Sequence, residues 1–471
     1  MLKWCCRLVM AVLVTVAVPS LTQAQPGFYL PGAGAIHAGM AGVSTATPVD
    51  ALGALYWNPA AIGRLGRNEA SIGGSLIYPE LSVTSSRPRP LVGDVLSGRT
   101  RSDNGFPLVP SLGVVSKLDD DSPLTFGLGM LAFGSGVNYP GDPNNPVLAP
   151  TGPFGQVVLG PVFSNMQVIQ LNPTVSYQLT DRLVVGAGPT VDITTASFDP
   201  AFFAQPNRVI LGPNSFPSAT NARPYWGGGF RVGAVYSLTD TLDLGFGYTS
   251  PQWLETWRFN ARDNFGNPQT LSLKASLPAI YSWGVAWRGI ERLTLGVDMR
   301  YIDYKNAQMF GTPTDLGGLG WEGSFAVAVG GNYQVTDRFA VRAGYQYNTN
   351  PLQNTRVLFN LQSPAIIQHV VTVGTTMNLT ENLSTSLGYG YGFHNSIVGQ
   401  FAQAPNTRVQ LDAAGHQLLF GLQIKFGKPW GRKACPPCDV SLTAPATAGP
   451  VPSPSPGMAT VAGPLGGPTT P

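Results

Sequence analysis

Three arginines occupy positions that suit one chemistry, the binding of an anion. Arg231, Arg300 and Arg342 each lie in a stretch where apolar and polar residues alternate. In the stretch LTLGVDMRY, this alternation puts Arg300 on the same polar face as Asp298. A guanidinium that is shielded from water pairs with a carboxylate. The three arginines therefore predict either an anionic ligand or pairing with aspartates such as Asp192 and Asp298, or with backbone carbonyls of residues 25–66.

Histidines are too few and too scattered to indicate catalysis. The four are His37, His369, His394 and His416, and their spacing from serines fits no Ser/His arrangement. We therefore expect no enzyme, and we assign neither a metal nor a cofactor. The net charge is +3 with no basic run, so nucleic acid is not an expected partner.

Alternation with a period of two recurs along the chain and is typical of β-strands. Four of the connections are nearly the same sequence, YQLTDRLVVGAG, YSLTDTLDLGFG, YQVTDRFAVRAG and MNLTENLSTSLG, and each predicts a tight hairpin. The connections between these hairpins are long and rich in Gly and Pro, as in 85–108, 135–165, 254–271 and 396–412. Short turns at one end and long loops at the other are typical of outer-membrane barrels.

The alternating stretches number fourteen, an even count that suits a closed bacterial barrel. They are 68–83, 109–118, 123–134, 166–179, 183–197, 225–238, 241–253, 272–288, 293–305, 322–335, 338–350, 366–379, 383–395 and 413–427. Charged residues make up only 11% of the chain, and Gly accounts for 57 residues, a composition that fits strands with one face in lipid. We predict an all-β fold, a 14-stranded antiparallel transmembrane β-barrel over residues 67–427.

The first 24 residues have the pattern of a signal peptide. Lys3 and Arg7 precede an apolar run from Leu8 to Val18, and small residues lead to Ala24, after which we expect cleavage. This pattern predicts export, and together with the barrel it predicts a location in the bacterial outer membrane.

The opposite end of the chain has a different composition. Residues 428–471 are rich in Pro, Ala, Gly and Thr and show no periodicity, which predicts a disordered periplasmic tail. Cys435 and Cys438 lie in this tail without a thioredoxin-like pattern around them. A local disulfide is therefore the favoured interpretation of the pair.

Residues 25–66 precede the first strand and do not alternate. Thr47 followed by Pro48 predicts the start of a short helix over VDALGALYW, and Asn58 followed by Pro59 predicts a second start. These short apolar helices would leave large side chains in water unless they are covered. A barrel of this size has a lumen that strand side chains do not fill, and inward faces rich in Gly and Ser enlarge it. We therefore predict that residues 25–66 form a plug inside the barrel.

The stretch GAGAIHAGMAGVSTATPVDALGALYWNPAAIGRL resembles the N-terminal hatch of the FadL/TodX family of outer-membrane transporters. The Asn-Pro-Ala signature of that hatch stands here as Asn58, Pro59 and Ala60. Further likeness runs through FGLGMLAFGSGVNYP, LNPTVSYQLTDRLVVGAG and GNYQVTDRFAVRAGYQYNTNP, so that the resemblance covers roughly residues 27–427. It implies a 14-stranded barrel with an N-terminal plug.

The resemblance also implies a function, the passive transport of hydrophobic compounds. In the family, extracellular loops capture the ligand, which passes beside the hatch and leaves sideways where the third strand bends inward. The matching strand here is 123–134, and Gly127, Gly129 and Gly134 are the residues that we expect to shape such a kink.

Long-chain fatty acids are the first expectation for the substrate, with Arg231, Arg300 and Arg342 as the cations for the carboxylate. Aromatic hydrocarbons carried by the same mechanism are one alternative, and a general porin is the other. The expected partners are a hydrophobic small-molecule ligand, outer-membrane lipid and lipopolysaccharide, and we expect a monomer. The loop 135–165 is unusually apolar, which suits either capture of a ligand or packing against a neighbouring loop.

Overall fold

The structure is a computed structural model, and it describes residues 27–89, 93–117, 119, 122–150, 159–206, 216–220, 223–263, 265–400 and 406–428. The predicted signal peptide lies outside these residues. All of the predicted tail except Lys428, including Cys435 and Cys438, also lies outside them.

Most of the described chain forms strands. They are β1 (Asn68–Arg89), β2 (Asp94–Arg101), β3 (Leu108–Ser116), β4 (Leu124–Tyr139), β5 (Val162–Gln178), β6 (Leu183–Asp199), β7 (Tyr225–Ser237), β8 (Leu242–Thr249), β9 (Gln252–Leu254), β10 (Trp257–Arg262), β11 (Pro268–Leu273), β12 (Ser276–Leu277), β13 (Ile280–Ile290), β14 (Leu293–Ile302), β15 (Ser324–Thr336), β16 (Phe339–Asn348), β17 (His369–Asn378), β18 (Leu383–Gln400) and β19 (Arg408–Phe426). All but β10 and β11, which form a separate hairpin, belong to one sheet.

The sheet closes on itself because β1 pairs with β19 on one side and with β2 and β3 on the other. Three crossings of the wall are interrupted, so that β2 with β3, β8 with β9, and β12 with β13 each count as one barrel strand. The result is a closed antiparallel barrel of fourteen strands, which confirms the predicted count. Closure pairs the first barrel strand with the last, so that no strand is an edge along its whole length.

The predicted strand limits hold best at the tight turns. Strands β6, β14 and β18 begin at the predicted residues Leu183, Leu293 and Leu383. At the end of the barrel opposite the tight turns the predicted strands are too short, because the described residues of 85–108 and 396–412, predicted as connections, are largely strand. Residues 254–271 likewise hold the hairpin of β10 and β11. These stretches carry little alternation, and it is pairing with a neighbouring strand that makes them extended.

Helices are short in the described part of the chain, and none there combines the length and hydropathy needed to cross a membrane. Between residue 27 and the barrel lie two α-helices, α1 (Gly34–Ala38) and α2 (Ala51–Tyr56), and a 3₁₀ helix follows at Pro59–Arg64. Further 3₁₀ turns lie between the later strands, at Tyr304–Asn306, Thr314–Leu316, Asn354–Arg356 and Leu358–Asn360.

The two predicted helix starts differ in outcome. Asn58 caps the 3₁₀ helix as expected, because its side chain accepts a hydrogen bond from Ala60 N, and Pro59 follows it. Thr47 does not cap α2. Asp50 does so instead, accepting from Gly53 N at 2.9 Å, since the Thr47 hydroxyl is held by Asp243 of the wall at 3.2 Å. A carboxylate at the helix N-terminus is favoured by the exposed N–H groups there.

The N-terminal segment, defined here as residues 27–66, is almost completely buried against the inward faces of the strands. Inward glycines were expected to enlarge the lumen, but several of them provide close contact with this segment. A Cβ atom at Gly245 would lie 2.2 Å from the carbonyl oxygen of Thr45, and one at Gly233 would lie 2.1 Å from Asn58 Oδ1. Glycine at these two positions lets the segment approach the wall more closely than any side chain would allow.

Candidate functional site

Asp298 on β14 anchors the first loop of the N-terminal segment. Its Oδ2 accepts hydrogen bonds from Ser44 N at 2.9 Å, from Thr45 N at 3.0 Å and from Thr45 Oγ1 at 2.7 Å. The same oxygen pairs with Arg300 Nη2 at 2.7 Å. Both side chains are fully buried. The Oδ2 atom is satisfied by one ion pair together with hydrogen bonds, whereas Oδ1 has no hydrogen-bond partner among the described residues.

Arg300 extends the anchor to two further parts of the segment. Its Nη2 also donates to the carbonyl of Gly42, and its Cζ lies 4.4 Å from the ring centroid of Trp57. A guanidinium over an indole is attracted by the negative ring face. The Nε and Nη1 atoms of Arg300 are buried without a hydrogen-bond partner among the described residues.

Arg231 on β7 binds the end of helix α2. Its Nη1 donates to the carbonyls of Leu55 at 2.7 Å and Tyr56 at 3.0 Å, and its Nη2 donates to Thr174 Oγ1 at 3.2 Å. The last carbonyls of a helix have no partner within the helix and carry partial negative charge. Arg231 therefore supplies the donor that this buried helix end requires.

Arg342 on β16 bonds mainly to its own wall. Its donors reach Asn332 Oδ1 at 3.2 Å, the Thr375 carbonyl at 3.3 Å and Thr376 Oγ1 at 2.5 Å. All three arginines thus lie on the inward face, as the alternation predicted, and each has partners within the chain. Their binding of a ligand carboxylate stays a prediction.

Asn58, Pro59 and Ala60 form the junction between the segment and the wall. Asn58 Nδ2 donates to the Thr45 carbonyl at 2.7 Å and to the Ala234 carbonyl of β7 at 3.0 Å, while Oδ1 accepts from Ala60 N at 3.0 Å. One buried side chain therefore caps a helix, joins two parts of the segment and ties both to a strand.

His37 and Asp50 are buried titratable groups of the segment. His37 Nδ1 accepts from Ala33 N at 3.2 Å, and its Nε2 lies 3.1 Å from Ser44 Oγ. Burial lowers the pKa of His37 to about 3, so the ring is neutral at pH 7 and donates from Nε2. Burial is also the main cause that raises the pKa of Asp50 to about 7, and the nearby Glu69 raises it further.

An apolar cavity lies under the connections at the end of the barrel opposite the tight turns. Its apolar lining consists of Met166, Phe198, Phe202, Phe203, Leu273, Met309, Phe310, Leu319 and Phe359. The polar residues that line it, Ser135, Ser164, Gln362 and Ser363, bond to one another or to backbone, as Ser164 Oγ does to the Gln362 carbonyl at 2.6 Å. No charged side chain is among the described residues that line this cavity.

The wall beside this cavity has an interruption along β4, the third barrel strand, on which the resemblance implied a sideways exit. Strand β3 pairs with β4 only from Ser111↔Leu131 to Ser116↔Phe126, although β4 continues to Tyr139. Contact resumes where Asp103 N donates to the Asn138 carbonyl at 2.8 Å. Within the described chain, residues 132–135 of β4 have no paired strand on this side.

Pro110 explains where the pairing stops. Ile77 N of β1 donates to the Pro107 carbonyl, and backbone groups alternate in direction along a strand. The backbone of Pro110, three residues further on, therefore points to β4, where a proline has no N–H to donate. Two prolines near the start of β3 were the available sequence signal for this gap.

The three glycines predicted to kink the third strand have other surroundings. Strand β4 pairs with β5 without a register shift through Gly127, Gly129 and Gly134. A Cβ atom at Gly127 or Gly129 would meet Leu55 of the N-terminal segment, and one at Gly134 would meet the Met166 carbonyl of β5. Their part in a kink stays a prediction.

The loop 135–165, expected either to capture ligand or to pack, buries two of the apolar residues that the structure describes in it. Val147 and Leu148 are fully buried, and Val147 N donates to Ser85 Oγ at 3.1 Å. This arrangement is packing against the extended part of β1.

A closed fourteen-stranded barrel whose inward face holds an N-terminal segment and an apolar cavity belongs to the class of outer-membrane transport barrels. The family model described as outer membrane protein transport protein (OMPP1/FadL/TodX) matches residues 15–427. The chain therefore belongs to this family, whose members are transport channels for hydrophobic compounds rather than enzymes.

Known proteins agree with this membership. The chain is 21% identical over 447 residues to outer membrane protein P1 of Haemophilus influenzae. The alignment covers 84% of this chain and 92% of that protein. The toluene transporter TodX of Pseudomonas putida superposes with a TM-score of 0.63 at 18% identity, over 85% of this chain and 100% of that one. A FadL homologue of Pseudomonas aeruginosa superposes with a TM-score of 0.64 at 18% identity, over 85% of this chain and 99% of that one. At such identities the solved structures show a shared fold.

Proposed function

We propose that the protein lets hydrophobic compounds diffuse passively across the outer membrane, with the N-terminal segment as a plug. The observation that carries this proposal is the position of the apolar cavity. Ser135 of β4 lines it, and the interruption in the wall lies along the same part of β4. A compound that enters under the loops is therefore beside a gap through which it can leave sideways.

The lining of this route favours ligands that water excludes. Phe133 of β4 lies next to the gap, and its ring centroid is 5.7 Å from that of Phe28 and 4.8 Å from that of Tyr29. Apolar and aromatic surfaces of this kind bind by removal of apolar area from water. Sideways exit through the gap spares the ligand a path through the bonded contacts of the N-terminal segment.

Long-chain fatty acids remain the first candidate from the sequence, and one observation supports them. Arg300 keeps two buried nitrogen atoms, Nε and Nη1, without a partner among the described residues, and a carboxylate would satisfy such donors.

Uncharged compounds such as aromatic hydrocarbons are the second candidate, and the geometry favours them more strongly. The described lining of the cavity carries no cation, and the charge of Arg300 is already balanced by Asp298 at 2.7 Å. A carboxylate brought into the cavity would lose its hydration without meeting a cation among the described lining residues.

The test is uptake by cells that express the full chain, compared with cells that carry an empty vector at matched growth. Radiolabelled oleate, toluene and sucrose are supplied separately, and the amount of barrel in the outer membrane is measured. We expect severalfold faster uptake of toluene, of oleate or of both, with sucrose unchanged. Faster sucrose uptake without either hydrophobic compound would contradict the proposal and favour the general porin.

A further inference from the structure

At the end of the barrel opposite the tight turns, the outward surface of β1, β2 and β19 carries a basic cluster that the transport route does not use. It consists of Arg99 and Arg101 on β2 and Arg408 on β19, and we call it the outer arginine cluster. Strand β1 lies between these two strands, with Ser82 opposite Arg101 and Ser86 opposite both Ser97 and Arg408. Neighbouring strands are about 4.8 Å apart, so the arginines surround a patch of small hydroxyl side chains about 10 Å wide.

The cluster lies directly beyond an aromatic boundary on the same outward face. Rings of Tyr78, Tyr389 and Tyr391 gather around His416, with the Tyr391 and His416 centroids 4.8 Å apart. On the other side of this boundary the outward residues are apolar, as Leu418, Phe420 and Leu422 are on β19. Aromatic girdles mark the two surfaces of the membrane in such barrels.

The depth of the cluster follows from the register. Ser82 is four residues beyond Tyr78 on β1, which is about 13 Å along a strand and about 10 Å along the barrel axis at the usual tilt. This end of the barrel is opposite the tight turns. Arg101, opposite Ser82, therefore lies at the level of lipid headgroups in the leaflet on the side of the long loops, and Arg408, opposite Ser86, lies about 10 Å further out along the barrel axis.

The charge of the cluster is only partly balanced. Asp412 is the acid within it, and its carboxylate is shared among Arg99 Nη2 at 4.0 Å, His394 Nε2 at 3.3 Å and Gln410 Nε2 at 2.9 Å. The Arg99 side chain is 55% exposed. Neither Arg101 nor Arg408, both exposed, has an ion pair within the described chain.

We propose that the outer arginine cluster binds the phosphate groups of a phosphorylated glycolipid in the outer leaflet, namely the lipid A part of lipopolysaccharide. Arginine matches phosphate oxygens with paired donors, and the hydroxyls of Thr84 and Ser86 offer further donors between the guanidinium groups. The buried Ser82 hydroxyl instead donates to Asp412 and accepts from Arg99 within the cluster. The apolar face beyond the aromatic boundary receives the acyl chains of the same molecule. This site is separate from the cavity and from the gap in the wall.

The experiment measures binding of fluorescent bisphosphorylated lipid A to the purified full chain in detergent micelles. One variant carries Arg99→Ser, Arg101→Ser and Arg408→Ser together. A matched control carries Arg258→Ser, Arg262→Ser and Lys274→Ser on or beside the β10–β11 hairpin, with the same loss of charge. Heat-modifiable migration on gels verifies that each barrel is folded.

We expect the first triple variant to bind at least about tenfold more weakly and the control to stay within about twofold of the wild type. A fourth variant, Asp412→Asn, removes the acid of the cluster and should bind more tightly than the wild type. Equal weakening in both triple variants would overturn the site, because it would reflect net charge alone.

Two further probes distinguish the source of the phosphate. Lipid A without phosphates but with the same acyl chains should lose most of the affinity of the wild type, and inorganic phosphate at millimolar concentration should not displace the lipid. Equal binding of the dephosphorylated lipid, or displacement by free phosphate, would overturn the proposal.

Discussion

Asp298 and Arg300 lie two residues apart on the inward face of β14 and form a fully buried ion pair of 2.7 Å. Their remaining bonds go to the N-terminal segment, to Ser44 and Thr45 from the carboxylate and to Gly42 from the guanidinium. One pair of wall residues thus holds one loop of the segment through both of its charges. The pair consequently ties the position of the segment to the stability of the barrel.

Replacing Asp298 by Asn should loosen this loop. The change leaves Arg300 buried without its counter-ion, which typically costs about 3–5 kcal/mol, and it weakens three hydrogen bonds at once. Denaturant-induced loss of heat-modifiable migration and ion conductance in planar bilayers measure the two effects. We expect earlier unfolding and higher leak conductance.

The control for that prediction is Asp337→Asn. Asp337 is 90% exposed and pairs with Arg292 at 3.1 Å, and exposed pairs contribute about 0–1 kcal/mol. Removing both buried charges, as in Asp298→Asn with Arg300→Met, should cost less than Asp298→Asn alone. A double variant that is worse than the single one would contradict this account of the pair.

Asn58 offers a way to separate two contributions of one side chain. Asn58→Ala removes the cap on Ala60 N and both donor bonds of Nδ2, whereas Asn58→Asp keeps an acceptor for the cap and loses the donors. The lost cap costs about 1 kcal/mol, and buried carbonyls of Thr45 and Ala234 left unpaired cost about 1–3 kcal/mol more. We expect both variants to unfold at lower denaturant and to leak more sucrose than the wild type. Wild-type stability in Asn58→Asp would show that the bridge to the wall contributes nothing.

The inward glycines predict a contrast between two substitutions of the same kind. A Cβ atom at Gly245 would lie 2.2 Å from the Thr45 carbonyl oxygen, but one at Gly129 would lie 3.4 Å from Leu55 Cβ. Gly245→Ala should therefore displace the segment and destabilise the barrel by about 1–3 kcal/mol, while Gly129→Ala should change its stability by less than about 0.5 kcal/mol. Denaturant titrations of both variants measure this. The same loss at the two positions would mean that close approach of the segment is not what requires glycine.

Sequence patterns were sufficient to predict the strands of the barrel wall, but not the contacts between that wall and the N-terminal segment. Period-two alternation and repeated turns located strands such as β6 and β14, because each strand carries its own signal. Alternation also put Arg231 and Arg300 on the inward face. The sequence also predicted pairing with aspartates such as Asp298 or with backbone carbonyls as one alternative, and Arg300 does pair with Asp298. Which carbonyls the arginines bond, those of Leu55 and Gly42, could not be predicted, since they belong to a segment whose path depends on tertiary contact. For the same reason, the sequence predicted that inward glycines enlarge the lumen and did not predict their close contacts with the segment.

The gap between β3 and β4 gives the sharpest prediction about transport. Pro110→Val supplies the N–H that the proline lacks on the side of β4, and a β-branched residue favours the strand. Pairing should then extend past Ser111↔Leu131 toward Ala132 and narrow the gap, so that uptake of toluene or oleate falls severalfold. Amide hydrogen exchange that slows at Ala132 would show that the strands have joined.

Pro173→Val is the matched control for this closure. Pro173 is also an outward proline in a barrel strand, on β5, but it lies opposite Leu128 of β4, where β3 and β4 are paired. The same substitution there restores a backbone donor without touching the gap, so uptake should stay at the wild-type rate. If Pro110→Val joined the strands and uptake were unchanged, hydrophobic compounds would have to leave the barrel by another path, and sideways exit at β4 would be wrong. If both variants lost uptake equally, the effect would come from stiffening of the wall in general, since the two prolines share nothing else but their outward position in a strand.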